Sequence, residues 1–232
     1  VLVPGLICDA ALWQHQAAAL APVADIRIPD LAPFDSIDAM ADAVLAAAPM
    51  RFALGGLSMG GYVAQAILRR APERVLRLAL LDTTARADQP EQTAARRTLM
   101  QMTREGRFED VLAQLLERLI DPSRYGDHAL CETILEMERR VGPDAFLRQE
   151  AAILGRPDGA QTLAAGRCPL LLLCGENDAI TPPAVHREMH ALRPDATLVV
   201  VAACGHLSVL ERPEPVTAAL AAWLAGDDST TP

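Results

Sequence analysis

No lysine occurs among the 232 residues, so all 21 basic side chains are arginine. That absence removes Schiff-base catalysis, a lysine-anchored pyridoxal phosphate and the P-loop lysine together. Basic charge as a whole is also scarce, with 21 basic residues against 30 acidic ones and a net charge of −9. A protein that reads phosphate backbones carries a basic face, and no nucleic-acid partner is expected here. Long apolar runs are missing as well. Stretches such as Leu170–Cys174 and Leu198–Cys204 are strand-sized, far short of the roughly 20 residues that cross a bilayer, so no membrane partner is expected. The five cysteines, Cys8, Cys131, Cys168, Cys174 and Cys204, form an odd set with no CxxC pair. Three of them lie in or beside apolar runs, where a thiol serves as a small core residue. Neither a disulfide framework nor a zinc site is expected, and the chain opens at Val1 without a basic stretch leading into an apolar one. A reducing, cytoplasmic compartment is the expectation.

What is present is the material of one globular domain, 51% hydrophobic and 22% charged. Short β-branched and leucine-rich runs alternate with longer Ala/Leu/Arg stretches, a pattern that predicts an α/β fold with a doubly wound, mostly parallel sheet. Strands are expected at Val1–Val3, Asp25–Pro29, Arg51–Gly56, Leu76–Asp82, Pro169–Cys174 and Thr197–Val201. Several are apolar on both faces, as buried parallel strands must be. Helices are expected at Ala10–Leu20, Ser36–Ala48 with Ser36 as N-cap, Met59–Arg70, Pro183–Leu192 and Pro213–Leu224. Between Asp82 and Pro169 the alternation stops. Segments Glu91–Arg104, Phe108–Leu119, Asp127–Arg140 and Asp144–Leu154 carry apolar residues at helical spacing, separated by breakers at Gly106, Asp121-Pro122 and Gly142-Pro143. The chain is thus divided into a core, 1–86 and 156–232, and an inserted helical lid, 87–155, with a frayed tail after Gly226.

The most informative stretch is Gly56-Leu57-Ser58-Met59-Gly60, set between a predicted strand and a predicted helix. This is the G-x-S-x-G nucleophile elbow in its required context. A serine in a strained turn at a strand tip brings backbone so close that a Cβ on the flanking positions would clash, and Gly55, Gly56, Gly60 and Gly61 clear that space. The helix beginning at Met59 turns the positive end of its dipole toward the place where an oxyanion would form. A serine hydroxyl needs a base to take its proton and a carboxylate to orient that base. His206, in Ala203-Cys204-Gly205-His206, and Asp178, in Gly175-Glu176-Asn177-Asp178, both follow predicted strands. Sites in open α/β sheets form outside the carboxyl ends of strands, and all three candidates occupy such ends in the order Ser, Asp, His.

With these residues, the Ala71-Pro72-Glu73-Arg74-Val75 turn and the Leu80-Leu81-Asp82 strand end, nearly the whole chain resembles the α/β-hydrolase family, in its group of small bacterial serine esterases, lactonases and C–C hydrolases. The resemblance implies a Ser58, His206, Asp178 triad and an oxyanion hole made by the backbone N–H groups of Met59 and Leu6. It implies no metal and no organic cofactor. Two departures stand out. The oxyanion loop reads Pro4-Gly5-Leu6 where the family often has His-Gly, and the chain starts where the family's third strand would lie, leaving its first strand pair outside this sequence.

The function expected is that of a serine hydrolase acting on a small-molecule ester or lactone through an acyl-enzyme. Two alternatives are carried beside it: hydrolysis of a C–C bond in a β-diketone by the same triad, and ligand binding without turnover. Within the site, Asp82 competes with Asp178 for the acid role, while Asp30 reads as a loop carboxylate. His186 and His190 lie four apart on a predicted helix but lack the glutamate of HExxH, so a solvated face is expected. Cys204 reads as packing. Leu99, Met100 and Met102 could line an acyl pocket or fill the insertion's core.

Overall fold

The computed structural model describes residues 1–226, and the expected frayed tail lies outside the described residues. Five strands form one sheet: β1 (Leu2–Val3), β2 (Phe52–Leu57), β3 (Val75–Leu81), β4 (Leu170–Gly175) and β5 (Thr197–Val201). They pair in chain order and every neighbouring pair is parallel. Period-two alternation sends Leu78, Leu80, Leu170 and Leu172 to one face and Ala79, Leu81, Leu171 and Leu173 to the other. Both sets are buried, which is why these strands carry almost no polar residue.

On the first face lie α2 (Ile37–Ala47), α3 (Met59–Arg70), α7 (Ala160–Ala165) and α8 (Pro183–Leu192). On the second lie α1 (Gln14–Leu20), α9 (Ser208–Glu211) and α10 (Pro213–Ala225). The predicted Ala10–Leu20 helix opens as a 3₁₀ turn over Ala10–Trp13, capped by the Asp9 carboxylate on the Ala11 N–H. Ser36 caps α2 through its side chain, as expected. The short helices α7 and α9 were not legible in the sequence.

One predicted strand is corrected. Asp25–Pro29 runs extended beside β1, with Ile26 and Ile28 packed inward, but it shares a single backbone bond, Leu2 N–H to Arg27 O at 2.9 Å. Pro29 has no N–H to give, and β1 spans only two residues, so no ladder forms.

Between β3 and β4 the chain builds α4 (Pro90–Arg104), α5 (Phe108–Leu119) and α6 (His128–Leu154). Their apolar faces meet in a cluster of their own, with Met102, Val111, Leu112, Leu115 and Phe146 around the side chain of Ile7. The helix α6 is two helical segments joined at Gly142, whose φ of 82° and ψ of 171° interrupt it just before Pro143. The Gly142-Pro143 breaker read from the sequence therefore separates two helical segments, as expected.

Candidate active site

Ser58 sits on the turn from β2 into α3 with φ 54° and ψ −116°, a region that L side chains occupy only when the surroundings force it. The forcing is visible. Ser58 N–H donates to Leu81 O at 3.0 Å, and Ser58 O accepts from Gly61 N–H at 2.9 Å and from Thr83 Oγ1 at 2.8 Å. A Cβ on Gly56 would fall on the Gly60 carbonyl, and one on Gly60 would fall on Val3 O. Those two glycines are what lets helix, strand and turn approach so closely.

His206 follows β5 and is 1% exposed. Its loop is anchored to the insertion, since the N–H groups of His206 and Leu207 both donate to Leu119 O at 3.0 Å. Glu211 accepts from Gly205 N–H at 2.9 Å and from Asp121 N–H at 2.7 Å, tying the loop down from the other side. Asp178 follows β4. Its Oδ1 accepts from the N–H groups of Ile180 and Thr181 at 2.7 and 2.9 Å, and its Oδ2 accepts from Thr181 Oγ1 at 2.7 Å.

These loops bring the three residues into one line. His206 Nε2 is 2.9 Å from Ser58 Oγ, and His206 Nδ1 is 2.8 Å from Asp178 Oδ2. Burial works to raise the Asp178 carboxyl, but His206 and the Thr181 donors outweigh it and hold the group well below the usual carboxylate range. An ionised Asp178 places the proton on Nδ1 and leaves Nε2 to accept from the serine hydroxyl.

Asp82 takes a different place. Its Oδ1 accepts from Gly175 N–H at 3.0 Å and its Oδ2 from Ser208 Oγ, while the carboxylate that meets His206 Nδ1 belongs to Asp178. Burial and the nearby Asp178 charge hold it well above the usual carboxylate range, against the pull of those two donors. Of these two buried carboxyl groups, burial and the neighbouring charge push Asp82 up, while Asp178, held down, bonds the imidazole.

The Pro4–Ile7 loop runs against Ser58, since a Cβ on Gly5 would lie 3.5 Å from Ser58 Cβ. The backbone N–H groups of Leu6 and Met59 have no hydrogen-bond partner among the described residues. The Met59 side chain points away into the core, fully buried.

The model of the alpha/beta hydrolase fold family matches residues 1–213. The chain belongs to that family. Among relatives of this hydrolase, the pimeloyl-[acyl-carrier protein] methyl ester esterase of Neisseria meningitidis is 31% identical over 218 residues, covering 90% of this chain and 82% of the relative. The protein of the same name from Nitrosomonas europaea is 30% identical over 201 residues, covering 78% and 74%. A solved structure of a thermophilic esterase from Thermogutta terrifontis superposes with a TM-score of 0.88 at 33% identity, covering 96% of this chain and 88% of that one. The enol-lactonase of Burkholderia xenovorans shares the fold, with a TM-score of 0.84 at 22% identity over 97% and 91% of the two chains.

Above Ser58 and His206 the hydrolase holds a cavity of about 270 Å³, walled by the Gly5–Cys8 loop on one side and by all three inserted helices on the other. Of the three apolar side chains singled out in α4, Leu99 lines it, whereas Met102 belongs to the insertion's core. Two buried acids, Glu138 and Glu150, also reach its wall. Burial pushes Glu138 up to about 8, with Arg139 pulling weakly the other way. Glu150 instead holds Arg96 Nη1 at 2.9 Å.

Sequence reasoning misplaced His186, which is fully buried rather than solvated. Burial pushes it down to about 4, and its neutral Nε2 accepts from Thr83 N–H at 3.4 Å. It thereby supports the turn that holds Ser58. Cys204 is fully buried and its thiol is pushed far up by burial, as packing requires. Asp30 is an exposed loop carboxylate that accepts from Ala32 N–H at 2.9 Å. Thr181 was missed, although its place three residues after Asp178 puts its hydroxyl and amide within reach of that carboxylate.

Proposed function

We propose that this alpha/beta hydrolase cleaves a small carboxylic ester through a covalent acyl-enzyme. Ser58 Oγ attacks the ester carbonyl while His206 Nε2 takes its proton, and Asp178 fixes the imidazole tautomer and stabilises the imidazolium. The negative charge that develops on the carbonyl oxygen is met by the free N–H groups of Met59 and Leu6, with the first turn of α3 adding its dipole. His206 then returns the proton to the leaving alkoxide. Water, activated by the same imidazole, releases the acid. The carrying observation is the aligned pair of contacts, 2.9 Å from Ser58 Oγ to His206 Nε2 and 2.8 Å from His206 Nδ1 to Asp178, opening on a cavity.

The choice of ester is supported by relatives at 30–33% identity that carry esterase names. An acyl methyl ester, the bond named in two of them, is the substrate type to try first. The inserted helices serve as a lid that shapes the acyl site, because all three reach the cavity wall.

Hydrolysis of short and medium p-nitrophenyl and methyl esters, together with fluorophosphonate labelling and peptide mapping, tests the reading. Ser58→Ala lowers turnover by roughly 10⁶-fold where background hydrolysis permits, and abolishes labelling. A folded Ser58→Ala protein that keeps more than about a tenth of the activity, where a nucleophile loss removes roughly 10⁶, overturns it.

A further inference from the structure

The peptide between Leu6 and Ile7 is held at both edges. Its N–H donates to Gln149 Oε1 of α6 at 2.7 Å, across 142 residues of chain. Its carbonyl, Leu6 O, accepts from Cys8 Sγ at 3.3 Å. Ile7 has φ 47°, a value at which a β-branched residue is an outlier, and such a backbone persists only where neighbours over-determine it. The Ile7 side chain is locked in the insertion's apolar cluster, and its N–H is locked by Gln149. Gln149 is itself fully buried, and its Nε2 has no hydrogen-bond partner among the described residues. A residue kept for one acceptor at the expense of an orphaned donor is costly for the fold alone. The amide cannot be turned to relieve this, because that would set Nε2 against the Ile7 N–H, donor to donor.

We infer that Gln149 is a positioning residue for the oxyanion site: by gripping the Ile7 N–H from the insertion, it sets the plane of the Leu6–Ile7 peptide and so the aim of the Leu6 N–H at the carbonyl attacked by Ser58. The inference rests on the serine mechanism above. It makes the insertion part of the catalytic geometry as well as a cover. A donor displaced by a fraction of an ångström still lets substrate bind but loses its grip on the charge that appears only in the transition state.

The test is Gln149→Met, which keeps the length and removes the acceptor, assayed against an ester that the wild type turns over. The expected result is a fall in kcat of roughly 10- to 100-fold with KM changed by less than about threefold, since ground-state binding does not use the oxyanion donor. Affinity for an alkyl boronic acid, whose tetrahedral adduct on Ser58 puts an oxygen at the oxyanion position, falls by a similar factor. Affinity for the non-hydrolysed amide of the same acyl chain stays put. Gln149→Glu, which restores an acceptor oxygen at the same reach, recovers most of kcat and of the boronic acid affinity. If Gln149→Met does not fold, Gln149→Asn, which withdraws the acceptor by one methylene, carries the same comparison. A variant lacking the acceptor that keeps kcat and boronic acid affinity within about twofold, against the 10²–10³ of a lost oxyanion donor, overturns the inference. So does one that weakens boronic acid and amide equally. Wild-type protein without Ser58-dependent turnover would instead overturn the serine mechanism itself.

Discussion

Glu138 shows at the scale of one residue what a cavity costs. Its side chain comes from α6, is 1% exposed, and has an oxygen, Oε2, with no hydrogen-bond partner among the described residues. Burial lifts its carboxyl from about 4.5 to about 8. In the unfolded chain the group ionises near 4.5, so between that value and 8 only the unfolded state releases the proton. Stability therefore falls as pH rises through that window and levels off above it. Glu138→Gln removes this dependence, and the fixed cost of the amide cancels when two pH values are compared. Urea titrations at about pH 5 and pH 8.5 should show the variant gaining on the wild type at the higher pH by a few kcal/mol, each pKa unit being worth about 1.4. An equal gap at both pH values would mean that Glu138 ionises freely. The residues legible in the sequence were of another kind. Ser58, Asp178 and His206 stand at strand ends in a fixed order, beside glycines that only a crowded turn demands. Gln149, Glu138 and His186 carry no local signature, because what makes each important is a partner or a void more than 50 residues away in the chain or on another element.

At the scale of the element, pattern and outcome agree where one stretch of chain decides its own conformation. α3 and α8 run over the predicted residues, Met59–Arg70 and Pro183–Leu192, since a glycine-cleared turn and a proline at the first helical position mark where they begin. Asp25–Pro29 had the apolar alternation of a strand and still made no ladder, because pairing depends on a neighbour that here offers two residues. α6 shows a breaker dividing an element where the sequence places it. Gly142 has φ 82° and ψ 171°, and a Cβ there would touch nothing within 4 Å. The obstacle to a side chain is therefore conformational alone, in a region open essentially to glycine. Gly142→Ala should lower the unfolding free energy by about 1–3 kcal/mol, measured from denaturant midpoints, while leaving the Ile7–Gln149 bond intact. A neutral result would show that the two halves of α6 can rejoin at another angle.

For the whole molecule, the seam between insertion and core is closed by buried charge. Asp88, just before α4, accepts from Arg96 at 2.7 Å and from Arg156, just after α6, at 2.7 Å, while Arg96 also binds Glu150 at 2.9 Å. The Arg156 guanidinium lies 4.1 Å from the centre of the Tyr62 ring, and Gly159 N–H donates to Ala85 O at 2.7 Å, joining the loop segments on either side of the three helices. Burial tends to raise the Asp88 carboxyl, but Arg156 and Arg96 hold it below the usual range. Its contribution is therefore present at neutral pH and lost only as pH falls below the usual carboxylate range, through the lowered value of the folded protein. Asp88→Asn should cost about 3 kcal/mol or more near pH 7, the usual penalty for removing one partner of a buried pair, with the gap closing in acid. Calorimetry at pH 7 and at about pH 2, below the ordinary carboxylate range, decides it, and a constant gap would remove charge as the cause.

The parallel sheet has one more consequence, in the order of folding events. Parallel neighbours cannot be joined by a tight turn, so each crossover carries a long stretch of chain between them. The Ser58–His206 contact spans 148 residues, and the Ile7–Gln149 clamp spans 142. Loops of that length close late, because their entropy is lost before any contact rewards it. No fragment of this chain that lacks the residues at either end of these two spans can hold both contacts. The recovery of activity during refolding is thus a clock for completion of the molecule, running behind any signal that reports helices or collapse.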